Sequence, residues 1–372
     1  MLTEKEKEKI LKKAKMQKLE NEWYNLRPIL GHANWAIFYI LLGGREIGKS
    51  YSVTNFFVDQ FVKKGIPFIW MRLTESQSDK LLNNNAEKLI DPDLRRKYNL
   101  DLKTIGNNVY HVEYGERQVK KRDGTIAMKR TIVKKTLMAR VFNLSTFYSD
   151  KGSIFDKDFL NDLNMRYNIA IDEFQREKNE RKNFDILYAL VNQLENVVRS
   201  TKERIKIFMM GNTLEEASDI LCAFNFIPEK WGVFKIKKKR AVIHNIPPSN
   251  AYLKRRSGTI ADILMPDSST FTNKLDSDKS LICKKRLTTP FYVVKFDRSK
   301  DTWFTIWDGN VIRRYTNESK PVITMKPYLF DQYDPQKKKM IIELFDQRCF
   351  RFVDLITFRQ FQKEMILISP KR

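Results

Sequence analysis

Residues 36–50 read AIFYILLGGREIGKS. An unbroken apolar run of this length suits a strand buried on both faces of a parallel sheet. It breaks at Gly43-Gly44 and resumes as Arg45-Glu46-Ile47-Gly48-Lys49-Ser50, which gives the spacing GxxxxGK[ST]. Glycines at these positions let the backbone curl so that several N–H groups point at one phosphate, and the helix that follows adds its positive N-terminus. Lys49 is placed to reach the β- and γ-phosphates of a bound nucleotide, and the Ser50 hydroxyl to hold Mg²⁺. The loop Gly43, Gly44, Arg45, Glu46, Ile47, Gly48, Lys49 and Ser50, with Tyr51 beside it, is therefore the expected ATP site.

Outward from the loop, residues 50–65 read SYSVTNFFVDQFVKKG, with Val53, Phe56, Phe57 and Phe61 at helical spacing and a glycine stop at Gly65. Residues 66–72, IPFIWMR, read as a second strand. Strand, glycine loop, helix, strand defines an α/β opening. A partner motif follows at 167–173, YNIAIDE. Here an apolar strand ends in two carboxylates, Asp172 to ligate Mg²⁺ and Glu173 to polarise the attacking water. The added glutamate, and the lack of an NKxD string, favour an ATPase over a small GTPase. A third strand, Ile205–Met210, ends in Gly211-Asn212, and Asn212 is expected to sense the γ-phosphate. Just before it, VVRSTKERIK carries Arg199 and Arg204, either of which could serve a neighbouring subunit as an arginine finger. Arg45 and Arg72 are further candidates for phosphate or subunit contacts.

The chain has 372 residues and a formal charge of +24, with 42% hydrophobic and 12% aromatic residues, so a packed core is expected despite the charge. Its three cysteines, Cys222, Cys283 and Cys349, are far apart, and its three histidines lack metal-ligand spacing. A disulfide scaffold, a zinc ribbon and a histidine metalloenzyme are thereby not expected. The opening residues are charged from the third onward and the longest apolar run is short, so neither a signal peptide nor a membrane span is expected. The charge calls for an acidic partner. Its densest run lies between Glu116 and Arg140, with nine Lys/Arg against two acids, in a predicted hairpin turning at Asp123-Gly124. Lys120, Lys121, Arg122, Lys129 and Arg130 there are the expected contacts to duplex DNA, unless the hairpin is merely a solvated surface. The expected organisation is an ATPase domain over 1–248, with an N-terminal helical extension (1–25) and the basic hairpin insertion (105–150). A polar linker (249–278) and a small α+β domain (279–372) follow.

The stretches LLGGREIGKSYSVTNFFVDQFVKKGIPFIWMR, IAIDEFQREKN and RSTKERIKIFMMGN together resemble the genome-packaging ATPases of phi29-like tailed bacteriophages. The later RAVIHNIPPS and FYVVKFDRSKDTWFTIWDGN keep that family's order, so the resemblance spans roughly 35–315. It implies an additional-strand catalytic-glutamate (ASCE) P-loop domain with a mostly parallel central sheet, then a linker and a vestigial RNase H-like nuclease domain. It implies ATP and Mg²⁺ as cofactors and a homo-oligomeric ring, typically pentameric. The ring would dock on a portal with a structural RNA between and drive double-stranded DNA into a procapsid in the host cytoplasm. By position, Asp172 becomes the Walker B ligand, Glu173 the catalytic base, and the trans-acting arginine Arg199 or a residue beside it. The hairpin and the N-terminal extension depart from the family, so no role transfers there. Two-metal cleavage needs converging carboxylates. Only Asp297 sits at a suitable strand end, so the C-terminal domain is expected to bind nucleic acid without cutting it. The competing expectations are a P-loop scaffold that does not translocate and a terminase-like enzyme with an active nuclease.

Overall fold

A computed structural model describes residues 23–120, 126–145, 167–175, 185–198, 205–212, 218–264, 279–297, 301–316, 325 and 327–368. The chain divides into two compact units, one of residues 1–215 and 230–274, the other of 216–229 and 275–372.

The first unit is built on a nine-stranded sheet. After a short helix α1 (Arg27–His32), the predicted buried run forms β1 (Phe38–Leu42), and helix α2 (Lys49–Lys64) follows it directly. Helix α2 buries Val53, Phe57, Val58 and Phe61, and it stops at Gly65, whose φ of +66° an L side chain resists. Strand β2 (Phe68–Arg72) lies beyond, followed by α3 (Glu75–Ala86), α4 (Pro92–Tyr98) and β3 (Leu102–Ile105). The predicted hairpin is β4 (Asn108–Lys120) and β5 (Ile126–Asn143). Strand β6 (Tyr167–Asp172), helix α5 (Ile186–Val198) and β7 (Ile205–Gly211) carry the acidic and sensor positions. After α6 (Asp219–Ala223), which belongs to the second unit, β8 (Gly232–Ile236) and β9 (Ala241–Asn245) complete the sheet.

The strand order is β3-β4-β5-β2-β6-β7-β1-β9-β8. Every pairing from β5 through β9 is parallel, and the outer pairings β3–β4, β4–β5 and β8–β9 are antiparallel. This is the mostly parallel sheet expected. The hairpin, however, is no simple insertion. The last five residues of β5, Ala139–Asn143, pair in parallel with β2, so its base is part of the core sheet. Beyond that base, Glu113–Lys120 pairs only with the first residues of β5 among the described strands, as a two-stranded ribbon.

The span expected as a linker, 249–278, begins instead with helices α7 (Asn250–Arg256) and α8 (Ile260–Leu264) within the first unit. Ser249 caps α7 by accepting a hydrogen bond from the Tyr252 N–H, and Tyr252 is buried. The polar composition concealed this because one aromatic anchor and a cap suffice to dock a two-turn helix. Residues 265–278 lie outside the described residues, as does 1–22 of the expected N-terminal extension.

The second unit holds a five-stranded sheet of β10 (Pro290–Lys295), β11 (Thr302–Trp307), β12 (Val311–Thr316), β13 (Tyr328–Leu329) and β14 (Arg351–Phe352), in the order β13-β10-β11-β12-β14. Helices α9 (Pro335–Asp346) and α10 (Leu355–Ile368) accompany it. Phe361 of α10 is fully buried among the rings of Phe296, Phe304, Phe345, Phe350 and Phe352. Helix α6, separated from the rest of its unit by residues 230–274, joins it through the Asp219–Arg359 ion pair (3.4 Å), and Arg314 donates to Asn225 just after the helix (3.1 Å). A boundary set by composition could not anticipate this exchange of chain between units. Among the described residues no helix is long and apolar enough to cross a membrane.

In the first unit, Phe57 is fully buried and meets the rings of Phe68 (5.1 Å), Phe208 (5.3 Å) and Trp70 (6.3 Å), which ties α2 to β2 and β7. Phe57→Ala is expected to cost about 3–5 kcal/mol. Denaturant unfolding should show this as a lower midpoint with unchanged slope.

Candidate active site

The order β6-β7-β1 sets the geometry of the site. The strand that feeds the phosphate loop and the strand that ends in carboxylates are separated by one strand, and all three run parallel. Their C-terminal ends therefore open on one edge, where ligands bind in open α/β sheets. Gly43 N–H donates to the Gly211 carbonyl (3.3 Å), which locks the loop's start to the end of β7.

Glycine stands at two positions of the loop for separate reasons. A Cβ on Gly43 would stand 2.5 Å from Ile47 Cδ1 and 3.2 Å from Ile246 Cβ, so it would displace the Ile47 side chain that packs there. Gly48 has φ +91° and opens α2. Lys49 is 7% exposed, and its ammonium donates to the Gly43 carbonyl (2.8 Å), the Gly44 carbonyl (2.7 Å) and Asn212 Oδ1 (3.4 Å). Burial lowers its pKa to about 8, while Asp172 and Glu173 pull in the opposite direction. Ser50 Oγ donates to Asp172 Oδ1 at 3.1 Å. Asp172 is buried, and desolvation raises its pKa against the opposing charge of Arg72.

Arg72, at the end of β2, clasps both acids. One guanidinium nitrogen lies 2.7 Å from Asp172 Oδ2, and another pairs with Glu173. Among the described residues, these two acids are the ion-pair partners of Arg72. Glu173 has φ +54°, a left-handed conformation that a side chain resists. Its carboxylate is engaged by the Arg72 guanidinium.

A cleft of about 560 Å³ is lined by Trp23, Arg45, Glu46, Ile47, Gly48, Lys49, Ser50, Tyr51, Asp172, Glu173, Met210, Gly211 and Asn212. The structure thus brings together the expected loop, Asp172, Glu173 and Asn212. Arg199 and Arg204 lie outside the described residues, as do Lys121 and Arg122. Lys120 ends β4, and Lys129 and Arg130 are exposed on β5, opposite Arg117 and Glu116 respectively. Arg130 also sits 4.2 Å over the Tyr114 ring and 3.5 Å from Asp101. Sequence reasoning missed Trp23, which lines the cleft from 20 residues before the motif, and the clasp made by Arg72. Only the β2–β6 pairing could have revealed the clasp.

In the second unit a smaller cleft of about 200 Å³ is lined by Phe296, Asp297, Phe330, Asp331, Glu364, Leu367 and Ile368. Asp331 and Glu364 join Asp297 there, which strand-end reasoning did not foresee. Among the described residues, no group of three His, Cys, Asp or Glu is close enough to hold a metal ion.

The donor set fits a nucleoside triphosphate with a divalent cation. Lys49 and loop residues 45–48 line one space, and Ser50 and Asp172 form an oxygen pair beside it. Because the Lys49 pKa is lowered to about 8, the folded protein loses this positive charge as pH rises through that value. Triphosphate binding above it must then take up a proton. ATP affinity, measured by calorimetric titration, should be flat near neutral pH and fall by up to about tenfold per unit well above pH 8. A flat profile through that range would contradict the lowered pKa.

No family model matches the chain. The DNA packaging protein of Bacillus phage phi29 is 22% identical over 329 residues, covering 86% of each chain, and that of Bacillus phage PZA matches equally. Among solved structures, the Phi-28 gp11 DNA packaging motor superposes with a TM-score of 0.57 at 18% identity, covering 95% of this chain and 99% of that one. The bacteriophage Phi-29 viral genome packaging motor assembly gives 0.56 at 19%, covering 94% and 100%. In fold, and in sequence along most of its length, this chain is similar to the genome-packaging motor proteins of phi29-like bacteriophages.

Proposed function

We propose that the protein is an ATP-driven translocase that moves double-stranded DNA, packaging a viral genome through a portal into a procapsid. The observation that carries this reading is the convergence of Lys49, Ser50, Asp172, Glu173 and Asn212 on one cleft in a chain that matches packaging proteins over most of its length. Lys49 holds the phosphates, and Asn212, already within reach of its ammonium, reports whether the γ-phosphate is present. Glu173 takes the proton of the attacking water once Arg72 releases it. Mg²⁺, held by Ser50 and Asp172, would supply charge neutralisation on the phosphates.

The finer assignments belong to the same proposal. The chains form a homo-oligomeric ring, in the pentameric form that the family resemblance implies, with Arg199 or Arg204 completing the neighbour's site. The ring acts in the host cytoplasm at the procapsid's portal vertex, with a structural RNA as a further partner. Duplex DNA is gripped through phosphates rather than bases, since base-specific contacts would stall a moving motor. The β4–β5 ribbon, with Lys120, Lys121, Arg122, Lys129 and Arg130, supplies part of that grip. The second unit binds nucleic acid without cutting it, which fits three carboxylates that share a cleft but no common metal position.

Duplex DNA should raise ATP turnover of the wild-type chain. Lys49→Ala should abolish nucleotide binding, and Glu173→Gln should retain binding while turnover falls about 10²–10⁴-fold. Turnover indifferent to both DNA and Glu173→Gln would leave only a nucleotide-stabilised scaffold. A plasmid-nicking assay with Mn²⁺ tests the second unit: we expect intact supercoiled DNA, and nicking lost in Asp297→Ala would establish an active nuclease instead.

A further inference from the structure

One residue of the phosphate loop looks unsuited to its place. Glu46 puts a carboxylate in a loop whose task is to attract a triphosphate, and its φ of +63° is a left-handed value that favours glycine. Both defects are met by a single neighbouring element. From helix α7, Arg256 (9% exposed) pairs with Glu46 Oε2 at 3.2 Å, and Arg255 donates to the Glu46 carbonyl at 2.8 Å. The Arg255 guanidinium also lies 3.9 Å above the Trp23 indole, and that ring packs against Gly48. On the same side, Tyr24 N–H donates to the Ile47 carbonyl at 2.9 Å and Leu26 N–H to Ser52 Oγ at 3.1 Å. Residues 46–48 are thus held between the 23–26 strap and α7, with two arginines bearing on the one loop residue that opposes its function.

We propose that Arg255 and Arg256 are positioning residues that preset the phosphate loop for ATP. They hold Glu46 in its left-handed conformation and cancel its charge, so that the loop amides and Lys49 meet the triphosphate without a rearrangement at the moment of binding. A loop built with glycine at position 46 would need neither arginine, since glycine adopts this backbone freely and carries no charge. The pairing also ties the nucleotide loop to the stretch of chain that runs on toward residues 275–372. This inference rests on the nucleotide reading above and names what prepares that site.

The test is a rescue experiment on the full chain, with Mg²⁺-ATP titrated calorimetrically and steady-state turnover measured alongside. Arg256→Gln is expected to weaken ATP binding and raise KM about tenfold or more, with kcat at saturation little changed. Adding Glu46→Gly to Arg256→Gln is expected to restore most of that loss, an outcome a purely structural arginine would not give. Because Arg256 is buried, the exposed Arg255→Gln is measured with and without Glu46→Gly as a second pair, and thermal melting confirms that each variant is folded. Folded arginine variants that bind ATP as the wild type does would overturn the proposal, as would a double variant as weak as the single one. Failure of the wild-type chain to bind ATP, with Lys49→Ala no different, would instead overturn the nucleotide reading itself.

Discussion

A buried ammonium governs the arrangement of this site. Lys49 sits 7% exposed at the end of a parallel sheet, and desolvation pulls its pKa down. Its charge is held by two loop carbonyls, the asparagine just after β7, and the two carboxylates where β6 ends. These partners come from three separate stretches of the chain. The curl of residues 43–48, the interposed strand β7 and the depth of Asp172 all answer the need to keep a positive charge dry yet ready for phosphate. The same low-dielectric edge that makes the lysine costly also strengthens its attraction for a triphosphate once one arrives.

The acidic side of the cleft is balanced in a similar way. Asp172 and Glu173 are adjacent like charges, one of them buried, and Arg72 neutralises both. An ion pair of this kind does little for stability, because desolvation offsets most of its attraction. It leaves both carboxylates occupied by one guanidinium. Glu173 and Glu46, the two glutamates of the cleft with left-handed backbones, are each paired with arginine. Backbone strain and counter-charge therefore coincide at the two points where the site has to be held in readiness.

Much of this was legible in the sequence because it is local. A continuous apolar run, a glycine loop of fixed spacing and a strand ending in Asp-Glu each follow from neighbouring residues, and the structure realises them as β1, the loop before α2, and β6. Chain-distant relations were not legible. The clasp of Arg72 depends on β2 lying beside β6, and the hold on Glu46 depends on α7 returning to the loop from some 210 residues downstream. The polar stretch after Pro247-Pro248 looks like a linker until its cap and its single buried tyrosine are seen in place. Likewise, nothing in the composition of residues 216–229 says that they belong with the second unit.

The sequence by itself determined that a strand, a phosphate-binding loop and a helix would follow one another, and that two carboxylates would end a buried strand. Backbone conformation and burial pattern over a few residues dictate those features. Only the tertiary structure decided which charges meet. Strand order and the return of α7 bring Arg72 and Arg256 onto acids far away along the chain. Such pairings follow from how nonlocal strands and helices pack, which local periodicity does not encode.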